Sequence, residues 1–238
     1  MLRVIIGAIV LLALTYVPGV VVRAWQVGRL RRAVRGRLLL TYDDGPSPIS
    51  PTPQILELLR RHGAKATFFL LGAQAVKGEA LCERLVAEGH DIGAHSFRHV
   101  HGWKHPLRAV SDLVQGLRTV ARWRHGPAIY RQPYGKSTLW TLLAAAHFRA
   151  RAVWWTVDSG DSWLSAPDRD SILRRVERDE GGVVLMHDFP REVTSDGVRF
   201  TLDLTEKLLE LAARRGWKVS TVSEFLGRTV NPTVCRLV

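Results

Sequence analysis

The sequence predicts an α/β fold, a distorted (β/α)7-type barrel preceded by an N-terminal transmembrane helix. Short apolar runs alternate with amphipathic helical patterns from residue 38 to residue 226, which is typical of a parallel sheet covered by helices. No long linker interrupts this alternation, and an apolar run near the N-terminus has the length of a membrane span. The chain of 238 residues is long enough for one such domain with a short extension.

The N-terminal segment is almost wholly apolar from residue 4 to residue 22. A bilayer-spanning helix needs about 20 apolar residues, so residues 1–23 are interpreted as a transmembrane anchor or a signal segment. The sequence that follows, Val22-Arg23-Ala24-Trp25, lacks a small-x-small cleavage pattern, which favours a single-pass anchor. Residues 24–37, rich in arginine, are interpreted as a basic linker.

Strands are predicted where a short apolar run ends in polar or turn-forming residues. They cover residues 38–42, 66–71, 91–95, 128–131, 151–157, 182–186 and 217–219. Helices are predicted where apolar residues recur at three- and four-residue spacing, with glycine or proline near the ends. They cover residues 53–62, 79–88, 107–122, 138–147, 168–179 and 202–215. These elements predict a single domain over residues 38–230 and a tail over residues 231–238.

The net charge of +12 allows nucleic acid, anionic lipid or acidic glycans as partners. Six arginines between residues 23 and 37 supply half of that surplus, outside the predicted domain. No known nucleic-acid-binding module is present, so we expect no nucleic-acid partner. Cys82 and Cys235 lack CxxC spacing, which predicts two free thiols and no structural zinc site.

Polar and charged residues lie at the carboxyl ends of five predicted strands, where functional groups gather in β/α barrels. They are Asp43, Asp44, His95, Arg131, Asp158, Asp161 and His187. Such groups are costly to bury unless they are paired or metal-bound. A single strand-end aspartate often caps the next helix, but that explanation does not account for all of these positions together.

Asp44 and His95, together with a second histidine, His99, predict a metal site. His95 and His99 are four residues apart, and on a helical turn such a pair projects from one face and can share a metal. Asp44 would complete a set of two histidines and one carboxylate, which leaves positions open for water and substrate. Zinc is the expected divalent metal, although cobalt or iron would also fit.

Hydrolytic chemistry at such a site needs a base, an acid and donors for the developing oxyanion. Asp43, adjacent to the ligand Asp44, is the candidate base because Gly45 and Pro46 turn the chain at the strand end. His187 is the candidate acid. The backbone N–H of Tyr134 is a candidate oxyanion donor.

Five ordered motifs resemble those of the polysaccharide deacetylase family, also called the NodB homology domain or carbohydrate esterase family four. The motifs are Thr41-Tyr42-Asp43-Asp44-Gly45-Pro46, His95-Ser96-Phe97-Arg98-His99, Arg131-Gln132-Pro133-Tyr134, Asp158-Ser159-Gly160-Asp161-Ser162-Trp163 and Leu185-Met186-His187. The resemblance covers about residues 38–226 and implies a distorted (β/α) barrel with a divalent metal, usually zinc or cobalt.

The resemblance also implies a role for each motif residue. The first two motifs would supply the base Asp43 and the metal ligands Asp44, His95 and His99. In the third, Arg131 would orient the base, and Tyr134, preceded by Pro133, would hold the oxyanion through its backbone.

The last two motifs would supply the acid and the acetyl pocket. His187 would be the acid and Leu185 would line the pocket. Asp161 would tether His187, and Trp163 would line the same pocket. The fourth motif departs from the family, in which the tryptophan directly follows the second aspartate, because Ser162 intervenes here.

Three functions remain open at the level of the sequence. The first is a deacetylase that removes the N-acetyl group from an amino sugar of a polysaccharide or glycoconjugate. The second is a deacylase, a deacetylase or deformylase, of a lipid-linked sugar, which the apolar segment and arginine cluster favour. The third is a non-catalytic glycan-binding domain, for which a base and an acid beside a metal would have no use.

The sequence leaves the side of the membrane open and predicts a monomer. Arg3 precedes the apolar run and six arginines follow it, so the positive-inside rule directs the domain to the cytoplasm, whereas a cell-wall substrate requires the outside. His101, His105 and His125 are interpreted as surface or loop residues without a role. The tryptophans outside the motifs are interpreted as core residues, except that Trp103 is close to the metal motif in sequence.

Overall fold

The structure is a computed structural model that describes residues 1–47, 51–162, 168–189 and 195–228. Eight strands in these ranges belong to one sheet. The strands are β1 (Arg37–Asp43), β2 (Thr67–Leu70), β3 (Asp91–Ala94), β4 (Ile129–Tyr130), β5 (Arg151–Ala152), β6 (Val157–Asp158), β7 (Gly181–His187) and β8 (Lys218–Val219).

Nine α-helices flank the sheet in the described residues, together with short 3-10 turns at Ala121–Trp123 and Pro133–Gly135. The helices are α1 (Leu2–Ala33), α2 (Thr52–Arg61), α3 (Gly72–Lys77), α4 (Glu79–Ala87), α5 (Pro106–Val120), α6 (Leu139–His147), α7 (Arg169–Arg178), α8 (Ser195–Arg215) and α9 (Val222–Arg228). The sequence did not predict α3, because its six residues are too few to show a helical repeat.

All strand pairs are parallel, and the sheet order is β5-β4-β3-β2-β1-β7-β6, with β8 beside the start of β1. Parallel strands connected through helices are the expected result of the alternating sequence pattern. The sheet curls into an incomplete barrel, which confirms the predicted fold class. The carboxyl ends of its strands all lie at one rim.

The prediction of one strand over residues 151–157 is wrong. The chain pairs with β4 at β5, leaves the sheet, and rejoins it beside β7 at β6. Between them, the Val153 N–H donates to the carbonyl of Tyr130 at 2.8 Å and the Thr156 N–H to that of Val183 at 2.9 Å. This segment therefore connects the two ends of the sheet order without a continuous ladder, and the barrel stays incomplete.

Strand alternation divides the core into two clusters. On β1, Leu38, Leu40 and Tyr42 pack with residues of the outer helices, whereas Leu39 packs in a second cluster with Phe69 of β2 and residues of β4 and β7. Because side chains two apart share a face of a strand, Thr41 and Asp43 follow Leu39 toward the carboxyl rim. The interior thus changes from apolar to polar along the strand.

Helix α1 is 32 residues long and contains the predicted apolar span. Its length and composition suffice to cross a membrane, a test that a signal sequence also passes. The helix continues to Ala33, so most of the segment predicted as a basic linker is helical. Thr15 and Gly19 are its buried residues, and α1 packs against α6.

The predicted boundary at residue 230 and the predicted tail lie outside the described residues, as do Trp163 and Cys235. Cys82, the other cysteine, is a buried free thiol. Burial raises the pKa of Cys82 to about 12, so it has the properties of an inert core residue.

Candidate active site

The turn after β1 brings two consecutive carboxylates into one pocket. Side chains of adjacent strand residues normally point to opposite faces, but Asp44 has a φ of +78°, which rotates the chain at this point. The next residue must be glycine, because a Cβ on Gly45 would lie 2.1 Å from Oδ2 of Asp188. Asp43 and Asp44 are both buried.

The side chain of Asp188 fixes this turn through hydrogen bonds. The sequence did not predict Asp188 as a site residue. Its Oδ1 accepts the Gly45 N–H at 2.9 Å and its Oδ2 accepts the hydroxyl of Thr52 at 2.7 Å. Burial raises the pKa of Asp188 to about 7, opposed by these hydrogen bonds. The residue directly follows His187 of the fifth motif, which is the sequence signal that would have identified it.

The loop after β3 brings His95 and His99 together, although not on a helical turn as the sequence predicted. Ser96 and His99 have φ values of +67° and +65°, so the chain forms an irregular loop. Asp112 of α5 holds this loop, because its carboxylate accepts the N–H groups of Arg98 at 2.8 Å and Val100 at 3.0 Å. The two imidazoles converge through backbone geometry that i, i+4 spacing does not encode.

The donor set fits a divalent cation. Nε2 of His95 and Nε2 of His99 each lie 3.4 Å from Oδ1 of Asp44, and one ligand atom from each residue lies within 4.8 Å of the others. Nδ1 of His95 lies 2.9 Å from the carbonyl of Arg131, which can only accept, so Nδ1 carries the proton. Nε2 therefore presents its lone pair, the arrangement typical of a metal-binding histidine.

The guanidinium of Arg131 holds Asp43. Its Nη1 donates to Oδ1 of Asp43 at 2.8 Å and to Oγ1 of Thr41 at 2.9 Å, and its Nε donates to the carbonyl of Val153 at 3.1 Å. Burial raises the pKa of Asp43, and Arg131 opposes that shift. Asp43 is thus a fixed carboxylate that accepts a proton more readily than an exposed aspartate does.

His187, at the end of β7, is held by Asp161. Oδ1 of Asp161 lies 2.7 Å from Nδ1 of His187, and its Oδ2 accepts the His187 N–H at 2.8 Å. Burial lowers the pKa of His187, but the carboxylates of Asp161, Asp44 and Asp43 together outweigh burial and raise this pKa to about 9. Despite the extra Ser162 in the fourth motif, the structure brings Asp161 to the place that the sequence analysis assigned to it.

Tyr134 lies across the pocket from these groups. It follows the buried Pro133 in a 3-10 turn and has a φ of +58°. Its ring is partly exposed, and its centroid lies 4.5 Å from that of His99 and 4.7 Å from that of His101. The third motif therefore turns sharply beside the ligand His99.

A cavity of about 330 Å³ lies at the carboxyl rim of the barrel, and Asp44, Arg131 and Asp161 contact residues of its wall without lining it. The cavity is lined by Asp43, His95, His99, His101, Gln132, Tyr134, Lys136, Trp155, Asp158, Ser162, Leu185 and His187. Leu185 provides its apolar wall from β7. Trp163, the other residue predicted to line an acetyl pocket, lies outside the described residues.

Five pocket residues were given no role by the sequence, namely His101, Gln132, Lys136, Trp155 and Ser162. His101 had been interpreted as a surface residue, Trp155 as a core residue, and Gln132 was the unassigned position of the third motif. Gln132 is buried, and neither atom of its amide has a hydrogen-bond partner among the described residues. Position within a motif signals Gln132, but the sequence gives no corresponding signal for His101 or Trp155.

Comparisons with known proteins agree with this geometry. Residues 31–153 match the family described as polysaccharide deacetylase. A peptidoglycan-N-acetylglucosamine deacetylase of Bacillus cereus is 29% identical over 205 residues, covering 85% of this chain and 92% of the relative. A chitooligosaccharide deacetylase of Rhizobium leguminosarum is 37% identical over 160 residues, covering 65% and 69% respectively.

A solved structure shows the same architecture. The family 4 carbohydrate esterase from Streptomyces lividans, solved in complex with acetate, superposes with a TM-score of 0.66 at 29% identity. The match covers 79% of this chain and 93% of the esterase. Most of the chain therefore follows a known architecture.

Proposed function

Since this chain belongs to the polysaccharide deacetylase family, and its relatives include peptidoglycan-N-acetylglucosamine and chitooligosaccharide deacetylases, we propose that it removes the N-acetyl group from N-acetylglucosamine units of a glycan. The observation that carries this proposal is the meeting of three sets of groups in one cavity. They are a metal-binding triad, a carboxylate held by a buried arginine, and a histidine held by a second aspartate. A glycan-binding domain would not need this acid–base pair.

The metal triad consists of Asp44, His95 and His99. A divalent cation held there would supply Lewis acidity to a water molecule and to the acetyl carbonyl. Zinc is the proposed metal, because it favours imidazole and carboxylate ligands with open positions. Cobalt and iron are alternatives that the same ligands accept.

The residues of the chain perform the proton transfers. Asp43 accepts the proton of the attacking water, and Arg131 keeps its carboxylate oriented while it does so. His187, protonated at neutral pH, donates its proton to the leaving amine. The backbone N–H of Tyr134 stabilises the oxyanion, and Leu185 bounds the space for the acetyl methyl group.

The substrate class follows from the relatives, which act on peptidoglycan and on chitooligosaccharides. These comparisons do not favour a lipid-linked sugar. The test uses the purified full-length protein in detergent, with zinc or cobalt added. It measures acetate release from chitooligosaccharides, peptidoglycan fragments, O-acetyl analogues and a lipid-linked N-acetyl sugar, and formate release from N-formyl analogues. We expect metal-dependent release of acetate from the two N-acetylated glycans. No release from either chitooligosaccharides or peptidoglycan fragments would contradict the proposal.

The proposed location is a membrane, with α1 as a single-pass anchor that inserts through its exposed N-terminal part. The catalytic domain, residues 38–230, is a monomer packed on α1 from Thr15 and Gly19 onward. Trp103 supports this location, because its side chain is 37% exposed and its ring centroid lies 6.1 Å from that of Tyr16 in α1. Trp140, interpreted from the sequence as a core residue, is 41% exposed and belongs to α6, the helix against which α1 packs. Exposed tryptophans are typical of membrane interfaces. Carbonate extraction of membranes from cells that express the protein tests the proposal, since a cleaved signal would leave the domain in the soluble fraction.

A further inference from the structure

A second cavity, which we call the α1 pocket, lies between helix α1 and the barrel. Its volume is about 500 Å³. Arg23 and Arg31 of α1 form one side, and Lys136, Trp155 and Arg175 belong to the barrel side. The pocket therefore exists only where α1 and the barrel meet.

The contact between α1 and the barrel is close. A Cβ on Gly19 would lie 2.2 Å from the carbonyl oxygen of Ser137, so only glycine fits there. The hydroxyl of Tyr16 donates to the carbonyl of Trp103 at 3.3 Å, and the indole N–H of Trp154 donates to the side chain of Gln26. These contacts make α1 a packed wall of the pocket.

The α1 pocket has an excess of positive charge. Four cationic side chains line it, at positions 23, 31, 136 and 175, against a single carboxylate, Asp158. Among the residues that the structure describes, none of the four cations forms a salt bridge.

Arg23 is held in position without a salt bridge to any of the described residues. Its guanidinium lies 4.7 Å from the centroid of the Trp155 ring, and its Nη1 is 3.5 Å from the carbonyl of Gly135. The guanidinium above this ring still has N–H groups available for an anionic ligand. Guanidinium groups bind carboxylates and phosphates in a bidentate manner. On the opposite wall, Arg175 donates from Nη2 to the carbonyl of Thr156 at 3.2 Å.

The α1 pocket adjoins the catalytic cavity. Lys136, Trp155 and Asp158 line both spaces. A molecule with its acetyl group between the metal ligands and Leu185 can therefore extend along Trp155 toward the four cations. This continuity favours a part of the substrate as the occupant over an independent ligand.

We propose that the α1 pocket binds an anionic substituent, a carboxylate or a phosphate, of an acidic glycan whose N-acetylglucosamine unit occupies the catalytic cavity. The proposal rests on the proposed function and narrows its substrate class, because chitooligosaccharides are neutral whereas peptidoglycan carries carboxylates. It also assigns the N-terminal helix a part in substrate recognition in addition to anchoring.

The test compares Arg23→Gln with Arg32→Gln, since both remove one positive charge from α1 but Arg32 does not line the pocket. KM is measured for an acidic peptidoglycan oligosaccharide and for a neutral chitooligosaccharide of equal length, with the full-length protein in detergent. A charge-assisted hydrogen bond contributes about 1.5–3 kcal/mol, so Arg23→Gln should raise the acidic-to-neutral KM ratio by about 10- to 100-fold. Arg32→Gln should leave the KM ratio as in the wild type. Arg175→Gln should also raise the ratio, because Arg175 lines the opposite wall of the pocket.

Two results would overturn the proposal. One is a KM ratio unchanged in both Arg23→Gln and Arg175→Gln. The other is weaker binding of Arg23→Gln than of Arg32→Gln to vesicles of phosphatidylglycerol in phosphatidylcholine, with an unchanged KM ratio, which would identify a lipid headgroup as the occupant.

A binding measurement separates this proposal from the proposed function. Calorimetric titration of the acidic oligosaccharide into the metal-loaded protein requires no turnover, and circular dichroism verifies that each variant is folded. If the wild type binds the oligosaccharide but releases no acetate, the proposed function fails. In that case the proposal for the α1 pocket is tested only by whether Arg23→Gln lowers the affinity for the acidic oligosaccharide.

Discussion

Asp43 and Asp44 are neighbours with the same side chain but opposite surroundings. Asp43 is held by the Arg131 guanidinium at 2.8 Å, whereas Asp44 lies 3.4 Å from an imidazole nitrogen of each histidine. The first environment suits a carboxylate that exchanges a proton, and the second suits a metal ligand. This difference makes the two roles separable by substitution.

We expect Asp44→Ala to remove bound metal and activity together, because a ligand is lost. Asp43→Asn should keep the metal and lower kcat by about 100-fold or more, the usual contribution of a general base. Metal content by plasma mass spectrometry and kcat by acetate release test both expectations. Metal that survives in Asp44→Ala, or a near-normal rate in Asp43→Asn, would refute the assignment.

His187 predicts a pH dependence. As the acid it must be protonated, and its pKa is raised to about 9, so activity should be retained at neutral pH and lost as the pH rises through about 9. Asp161→Asn removes the carboxylate that raises this pKa, so the alkaline limb should move to lower pH. The pH profile of kcat/KM measures the shift, with Asp203→Asn on α8 as a control. An unmoved limb in Asp161→Asn would exclude this role for Asp161.

At the scale of elements, helix α5 supports the metal loop from outside the barrel. Besides the hydrogen bonds of Asp112, its Gly116 packs directly on the loop, since a Cβ there would lie 2.4 Å from the carbonyl of Ser96. In the sequence, Ser96 lies between the ligands His95 and His99. A displacement of α5 therefore displaces both ligands.

Gly116→Ala should therefore weaken metal binding without changing any ligand. Overpacking of this kind costs about 1–3 kcal/mol, and if the loop takes up the strain, the metal Kd should rise about tenfold. Gly227→Ala in α9 is the matched control, because nothing lies within 4 Å of a Cβ at that position. Equal metal Kd values for the two variants, measured by competition with a chelator, would show that α5 does not position the ligands.

Helix α1 gives a second prediction at this scale. Gly19→Val should separate α1 from the barrel, because its Cβ would overlap Ser137, whereas Gly7→Val has open space around it. We expect faster hydrogen exchange in residues around Ser137 for Gly19→Val but not for Gly7→Val. The same exchange rates in both variants would mean that α1 does not dock as the structure shows.

At the scale of the whole molecule, the metal site links strands that are distant in sequence. Asp44 follows β1 and the two histidines follow β3, with β2 between these strands. A cation shared by both loops binds the folded state and not the unfolded one, so it should stabilise the entire barrel.

Metal at about 100 times its Kd should stabilise the fold by about 2.7 kcal/mol, which raises Tm by about 5–10 °C for a chain of this size. Differential scanning fluorimetry with a chelator and with zinc measures this change. Asp44→Ala should show no increase and Asp43→Asn should retain most of it. A Tm that does not respond to zinc in the wild type would argue against a cation at this position.

The sequence by itself determined the fold class and the chemistry of the site. Alternating strand and helix patterns predicted the parallel barrel, because burial imposes a period on each element. The sequence identified the motif residues from polar groups at strand ends, from the spacing of two histidines and from the resemblance of five ordered motifs. These residues are Asp43, Asp44, His95, His99, Arg131, Asp161 and His187. Their catalytic roles stay predictions until they are measured.

Tertiary structure alone decided how distant groups meet. The left-handed backbone at Ser96 and His99, the break between β5 and β6, and the buried Gln132 follow from packing that no local period records. The docking of α1 is the largest such case, because an apolar helix predicts burial or a membrane but not which surface it touches. A contact between residues far apart in sequence depends on the shapes of both contacting surfaces. A local sequence pattern specifies one of these surfaces but not the surface that it packs against.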